Sequence, residues 1–201
     1  MIDFFRALYR NIIYYLNIIM EHFNKAVYNM LCLTRNKRSL NIVNRIASIN
    51  DYNIIVPNVF LGNMKMASDL EFLEKNNIQA ILNCTPDLEY HQYFDDKPKF
   101  RLNVNDSRDK ENIIKLKTDI INGIDFIDNC IEQNKPVYVH CYWGLMRSAT
   151  LVAGYIIMKY NVSSDDAISI VRSQRPMALS SLYNFNEVLK VVEEKYLNKP
   201  N

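Results

Sequence analysis

From residue 51 to about residue 196 the alternation of hydrophobic and polar positions changes period again and again. Short apolar runs predict strands at 53–56, 59–61, 79–84, 99–104 and 136–140. Helical spacing predicts helices at 65–75, 112–133, 148–160, 165–174 and 182–196. Ser163, with Asp166 three residues on, reads as a capping box that opens the fourth of these helices. Strands alternating with helices predict an α/β fold, a central and mostly parallel sheet flanked by helices.

The first fifty residues follow a different pattern. Phe5, Leu8, Ile12, Leu16, Ile19, Phe23, Val27 and Met30 recur at helical spacing, interrupted by Asp3, Arg6, Arg10, Glu21, Asn24 and Lys25. Charge confirms the boundary. Residues 1–50 carry seven basic groups against two acidic ones, whereas the remainder carries 17 basic and 20 acidic. The reading is an amphipathic, basic helical extension over 1–50 and an α/β domain over 51–197. The longest uncharged run, 11–20, is too short to span a bilayer. Three uses fit the extension. It packs on its own domain, pairs with a second copy through residues 1–33, or lies on a membrane with Arg35, Lys37 and Arg38 toward acidic lipid. In the last case Cys32 is a site for acylation.

Composition narrows the remaining choices. The chain is 49% hydrophobic, enough for a real core, and its net charge of +2 provides no field to gather nucleic acid. Asn is abundant, so single Asn residues receive little functional weight. Cys32, Cys84, Cys130 and Cys141 show neither C-x-x-C nor Cys/His spacing, so no metal is expected, and an intracellular, reducing setting is the default.

Chemistry concentrates in "VHCYWGLMRSAT", residues 139–150. An apolar strand ends at His140 and a helix opens with Ser148 near its start, so Cys141 to Arg147 form a strand-to-helix loop. Such a loop aims backbone N–H groups and a positive helix end at one point, an anion site. Gly144 lets it curl around an oxyanion, and Arg147 adds a planar fork that fits phosphate. A free thiol near pKa ~8.5 becomes largely thiolate in that field. Cys141 is therefore set to attack a phosphoryl group. Cys130 and Cys32 read as core cysteines instead.

These residues, H-C-x5-R-S, resemble the signature of the cysteine-dependent protein tyrosine phosphatases. "IVPNVFLGN", "LEFLEKNNIQAILNCT", "LNVNDS", "FIDNCIEQNKPVYVHC" and "IVRSQRPMAL" resemble the dual-specificity branch in order and approximate spacing, over residues 52–196. The resemblance implies that Cys141 attacks phosphorus while Arg147 and the loop amides hold the other oxygens. It also implies that Asp106 protonates the leaving oxygen and then assists water. Ser148 would stabilise the departing thiolate, and His140 would orient the loop and support the low pKa. No metal or organic cofactor is implied. Asp109 is the rival acid, and Asp106 also reads as an ordinary turn residue in a polar loop.

The expected substrate-binding residues are Tyr142, Trp143, Gly144, Leu145, Met146 and Arg147. The loop interior is bulkier than the family's usual small residues, and "LSS" at 179–181 replaces a frequent Pro-Asn, leaving Ser180 or Ser181 to bond the loop. Lipid-directed members tend to carry lysines inside the loop, and here its five interior residues are uncharged. The implied substrate is a phosphorylated protein, with phosphotyrosine and then phosphoserine or phosphothreonine as the esters. The alternatives are a phosphoprotein-binding module without turnover and a phosphatase of a non-protein ester such as a phosphoinositide.

Overall fold

The computed structural model describes residues 50–107, 109–179 and 185–197. The helical extension, its dimer and membrane readings, Cys32, Ser180 and Ser181 all lie outside the described residues. The described part belongs to one unit, residues 50–201.

Five strands form one sheet: β1 (Tyr52–Val56), β2 (Val59–Gly62), β3 (Ala80–Asn83), β4 (Lys99–Arg101) and β5 (Val137–His140). Their order is β1-β2-β5-β3-β4. Only β1 and β2 run antiparallel, because a tight turn joins them, and the other pairings are parallel. Helices α1 (Leu70–Lys75), α2 (Lys110–Glu132), α3 (Arg147–Tyr160), α4 (Ser164–Gln174) and α5 (Asn186–Leu197) cover it.

Period-2 alternation divides the sheet's two faces. Val59, Leu61, Ala80, Leu82, Val137 and Val139 join the larger core, with Leu116, Ile120, Ile124 and Ile127 of α2 and the buried face of α3. Phe60, Ile81 and Tyr138 point the other way, onto Phe72 and Leu73 of α1 and onto Phe94. Each such side chain is worth about 1.5–3 kcal/mol when fully buried. The α3 helix is buried throughout from Ala149 to Ile157 and, as a helix enclosed by neighbours must be, apolar apart from Thr150, whose hydroxyl donates to Met146 O.

The fifth predicted helix begins at Asn186, with residues 182–184 outside the described residues, and two further elements differ from expectation. The run 65–75 divides into a 3-10 turn, Met66–Ser68, and α1, because Asp69 is extended (φ −88°, ψ 101°) and its side chain accepts the Phe72 N–H. Strand β4 stops at Arg101, where the chain leaves the sheet: Leu102 N–H still reaches Asn83 O, then Val104 N–H turns back to Leu102 O. The fourth helix opens as expected, with the Ser163 hydroxyl accepting the Asp166 N–H at 3.1 Å.

The abundant Asn has a structural use. Asn58, Asn77, Asn134 and Asn161 all adopt positive φ, at turns and helix ends where Gly is the usual residue. Among the described residues no helix is long and apolar enough to cross a membrane.

Candidate active site

Strand β5 ends at His140 and α3 begins at Arg147, so residues 141–146 arch between the C-terminal end of the central strand and a helix start. Their backbone is held from outside. Met64 N–H donates to Tyr142 O (3.1 Å) and Leu179 N–H to Leu145 O (2.9 Å). Arg175 donates from Nη2 to Trp143 O (2.9 Å) and from Nε to Gly144 O (2.8 Å). Four successive carbonyls thus point outward. Because each planar trans peptide opposes its C=O to the next N–H, the amides of Trp143 to Met146 face inward. The Gly144 N–H reaches Cys141 Sγ at 3.3 Å.

Gly144 meets two demands at once. Its φ is +67°, and a Cβ there would lie 2.3 Å from the Gly62 carbonyl oxygen at the end of β2. Arg175 is itself 2% exposed and tied through Nη1 to Asn50 O (2.8 Å) and Asn53 Oδ1 (2.7 Å). It was absent from the expected site, since its partners lie far away along the chain. The only sequence signal was its place in "IVRSQRPMAL".

Cys141 is 2% exposed, and its sulfur also receives the Ser148 hydroxyl at 3.2 Å. Burial pushes the thiol up. The Arg147 guanidinium, the hydroxyl and N–H of Ser148 and the Gly144 N–H outweigh it, and the thiol lies below its ordinary value. Cys84, whose N–H donates to His140 O, goes the other way: burial and then the Cys141 charge raise it, so it stays a thiol. Cys130 is buried in α2, and burial raises it also.

Arg147 lies almost wholly buried beside this sulfur. Nη1 donates to Val104 O (3.2 Å), Nη2 to Asp106 Oδ2 (3.5 Å), and the guanidinium stands 5.4 Å from the Tyr142 ring centroid. Nε is the one buried side-chain N or O among the described residues with no hydrogen-bond partner. A buried, charged N–H left unpaired is costly, and an anion in the cradle would relieve it.

The two acids part company here. Asp106 faces Arg147 and is half exposed. Asp109 caps α2, accepting the Asn112 N–H at 2.8 Å and the Ser107 hydroxyl. The Ser107 bond, then the Asn112 N–H, hold its carboxyl below the usual range.

His140 is buried, with Nδ1 3.3 Å from Cys141 O and its ring stacked on Tyr138. Burial pulls it down to about 4, so the ring is neutral at physiological pH. The loop's remaining side chains form the rim. Trp143 is half exposed, Leu145 and Met146 are partly buried, and the Tyr142 hydroxyl donates to Asp87. Among the described residues no group of three or more His, Cys, Asp or Glu is placed to hold a metal.

Two outcomes are expected from this geometry. Gly144→Ala forces the loop away from β2 and should cost about 10²-fold in kcat/KM, the price of roughly 1 Å of misplacement. Steady-state kinetics on an aryl phosphate would show it, and an unchanged rate would mean the loop has slack. His140, depressed from ~6.5 to about 4, contributes stability that is present above pH 6.5 and lost as pH falls through 4. That contribution is on the order of 3 kcal/mol. Urea midpoints at pH 7 and 4.5 should diverge less in His140→Gln than in the parent.

Residues 59–195 match the family described as "Dual specificity phosphatase, catalytic domain". Human dual specificity protein phosphatase 16 is 30% identical over 145 residues, covering 72% of this chain and 21% of that protein. Dual specificity protein phosphatase 22 of Xenopus tropicalis is 36% identical over 133 residues, covering 64% and 59%. The chain therefore spans only part of these relatives' length. In fold it is similar to the crystal structure of human DUSP28, with a TM-score of 0.64 at 20% identity, covering 73% of this chain and 95% of that one. The family match runs from β2 into α5, through every element that builds the loop, and the chain belongs to the dual specificity phosphatase catalytic-domain family.

Proposed function

We propose that residues 51–197 hydrolyse phosphotyrosine, and phosphoserine or phosphothreonine, in protein substrates through a phosphocysteine intermediate. One observation carries the reading: a buried, acidified thiol shares its cradle with inward amides and with an Arg147 Nε that lacks a partner.

In the first step the Cys141 thiolate attacks phosphorus and the P–O ester bond breaks. Asp106 gives its proton to the leaving oxygen, while Arg147 and the amides of Trp143 to Met146 hold the equatorial oxygens. In the second step the Asp106 carboxylate takes a proton from water, whose oxygen attacks phosphorus. The P–S bond then breaks and the thiolate returns to the Ser148 hydroxyl and Gly144 N–H. His140, being neutral, contributes orientation through its Nδ1 contact with Cys141 O and adds no charge. Asp109 is assigned to the helix cap.

Substrate preference follows from the rim. Tyr142 and Trp143 offer aromatic surface, and Asp87 supplies a carboxylate where a polyanion-binding site would need a cation. This favours a phosphotyrosine ring over a phosphoinositide headgroup. Self-association or acidic-lipid contact is assigned to residues 1–33 and the basic cluster after them. An intracellular setting, which keeps Cys141 reduced, belongs to the same proposal.

Cys141→Ser should abolish turnover but retain inhibition-level binding of inorganic phosphate, and EDTA should leave the parent's rate unchanged. Appreciable turnover by the serine variant, or binding of phosphopeptide without hydrolysis by the parent, would sink the reading. Asp106→Asn should lower kcat by about 10²–10⁴ for phenolic leaving groups of high pKa. Asp109→Asn should cost little in kcat, and the reverse ranking would reassign the acid. A phosphotyrosine peptide should surpass a soluble inositol bisphosphate in kcat/KM. Tyr142→Lys should narrow that gap, and a parent preference for the inositol ester would point to the non-protein substrate.

A further inference from the structure

Between β4 and α2 the chain runs through residues 102–109, the segment that bears Asp106. An irregular segment of this kind positions a reacting group poorly unless something fixes its peptide units. On one side Arg147 does so, since Nη1 binds Val104 O. On the other side the work falls to a single side chain from the first turn of α2.

Asn112 is 7% exposed, an amide buried where α2 begins. Its Oδ1 accepts the Asn105 N–H at 2.8 Å. Its Nδ2 donates to Asn105 O and to Ser107 O, both at 2.8 Å. Asn105 and Ser107 are the residues immediately before and after Asp106. Its own N–H is held by Asp109 Oδ1 at 2.8 Å, so the amide is itself fixed at the base. Three bonds from one planar group thus bracket the acid on both flanks, while the Asp106 side chain stays half exposed and turned toward Arg147.

The arrangement has a chemical specification. The site requires one acceptor and two donors in a plane, which a carboxamide supplies. A carboxylate of the same shape supplies no donors and adds negative charge between Asp106 and Asp109. An aliphatic side chain leaves the Asn105 N–H and two carbonyls without their partner.

We propose that Asn112 is the positioning residue for the general acid, holding the backbone on either side of Asp106 so that its carboxyl stays over the cradle. The inference rests on the phosphatase reading and on Asp106 as its acid. Asn112 touches no substrate and acts only through Asp106. Its effect should therefore appear only where proton donation limits the rate.

The test is a leaving-group comparison combined with a double-mutant cycle. Asn112→Ala should lower kcat about 10- to 100-fold on phenyl phosphate, within the range general acid catalysis supplies. It should have little effect on 2,4-dinitrophenyl phosphate, whose phenolate leaves without a proton. Inhibition by inorganic phosphate should be unchanged, because the cradle is built from other residues. In an Asp106→Asn background the same substitution should cost nothing more on either ester. Asn112→Asp keeps the shape and the bond to the Asn105 N–H and should show the same signature, which separates positioning from loss of packing. An equal loss on both esters, additive losses in the cycle, or weakened phosphate inhibition would each overturn the inference. If Asp106→Asn itself shows no leaving-group dependence, the acid assignment falls and this inference falls with it. If Asp106→Asn shows the dependence and the Asn112 variants do not, only the role of Asn112 is lost.

Discussion

Burying the sulfur of Cys141 is the constraint that the rest of this structure answers. Enclosure in a protein interior disfavours a thiolate more than any other single influence on it, and here it is the largest of the opposing effects. Arg147, Ser148 and the Gly144 N–H reverse its sign, and each owes its place to something more remote. Arg147 and Ser148 stand at the start of α3, a helix kept in register by apolar packing on every side. The amides face inward because Arg175, Met64 and Leu179 draw the carbonyls outward. The parallel alignment of β5 with β2 and β3 brings Gly62 close enough to set the loop's inner limit.

That Cys141 and Arg147 share one loop was legible in the sequence because both belong to a single strand-to-helix connection. A strand, a six-residue loop and a helix keep them close along the chain, although distant residues set the loop's final shape. The carboxylate that faces Arg147 was less legible, since Asp106 and Asp109 lie in one polar stretch. Local hydrogen bonding separates them: Asp109 is engaged by Ser107 and by the Asn112 N–H. An Asp three residues before Asn112 at the head of an apolar helix is a capping pattern, and that was the available clue. Arg175 left no such clue. Its partners, Asn50, Asn53, Trp143 and Gly144, are scattered along the chain, and only folding shows that a single guanidinium joins them.

Element boundaries failed where side chains competed with the backbone. Asp69 interrupts a run of helical periodicity because its carboxylate offers the Phe72 N–H an earlier partner. The predicted strand 99–104 shortens because the chain must leave the sheet to carry Asp106 toward Arg147. Discounting Asn as mere composition also discarded information, since several of those residues mark where the backbone turns left-handed.

Those asparagines bear on how such a domain responds to the composition of its gene. Glycine codons begin with two guanines and asparagine codons with two adenines, so drift toward adenine and thymine depletes the first and enriches the second. The whole chain has four glycines, and at each of them a Cβ would approach another atom within 3.0 Å: Gly62, Gly123, Gly144 and Gly154. The left-handed positions at Asn58, Asn77, Asn134 and Asn161 are filled without glycine. Where a turn needs only a torsion angle, an A-rich codon supplies it; where another backbone fills the space, as at Gly62 and Gly144, only the G-rich codon will do. Nucleotide bias can therefore rewrite turns of this domain, while it must leave untouched Gly62 and Gly144, where one backbone presses on another.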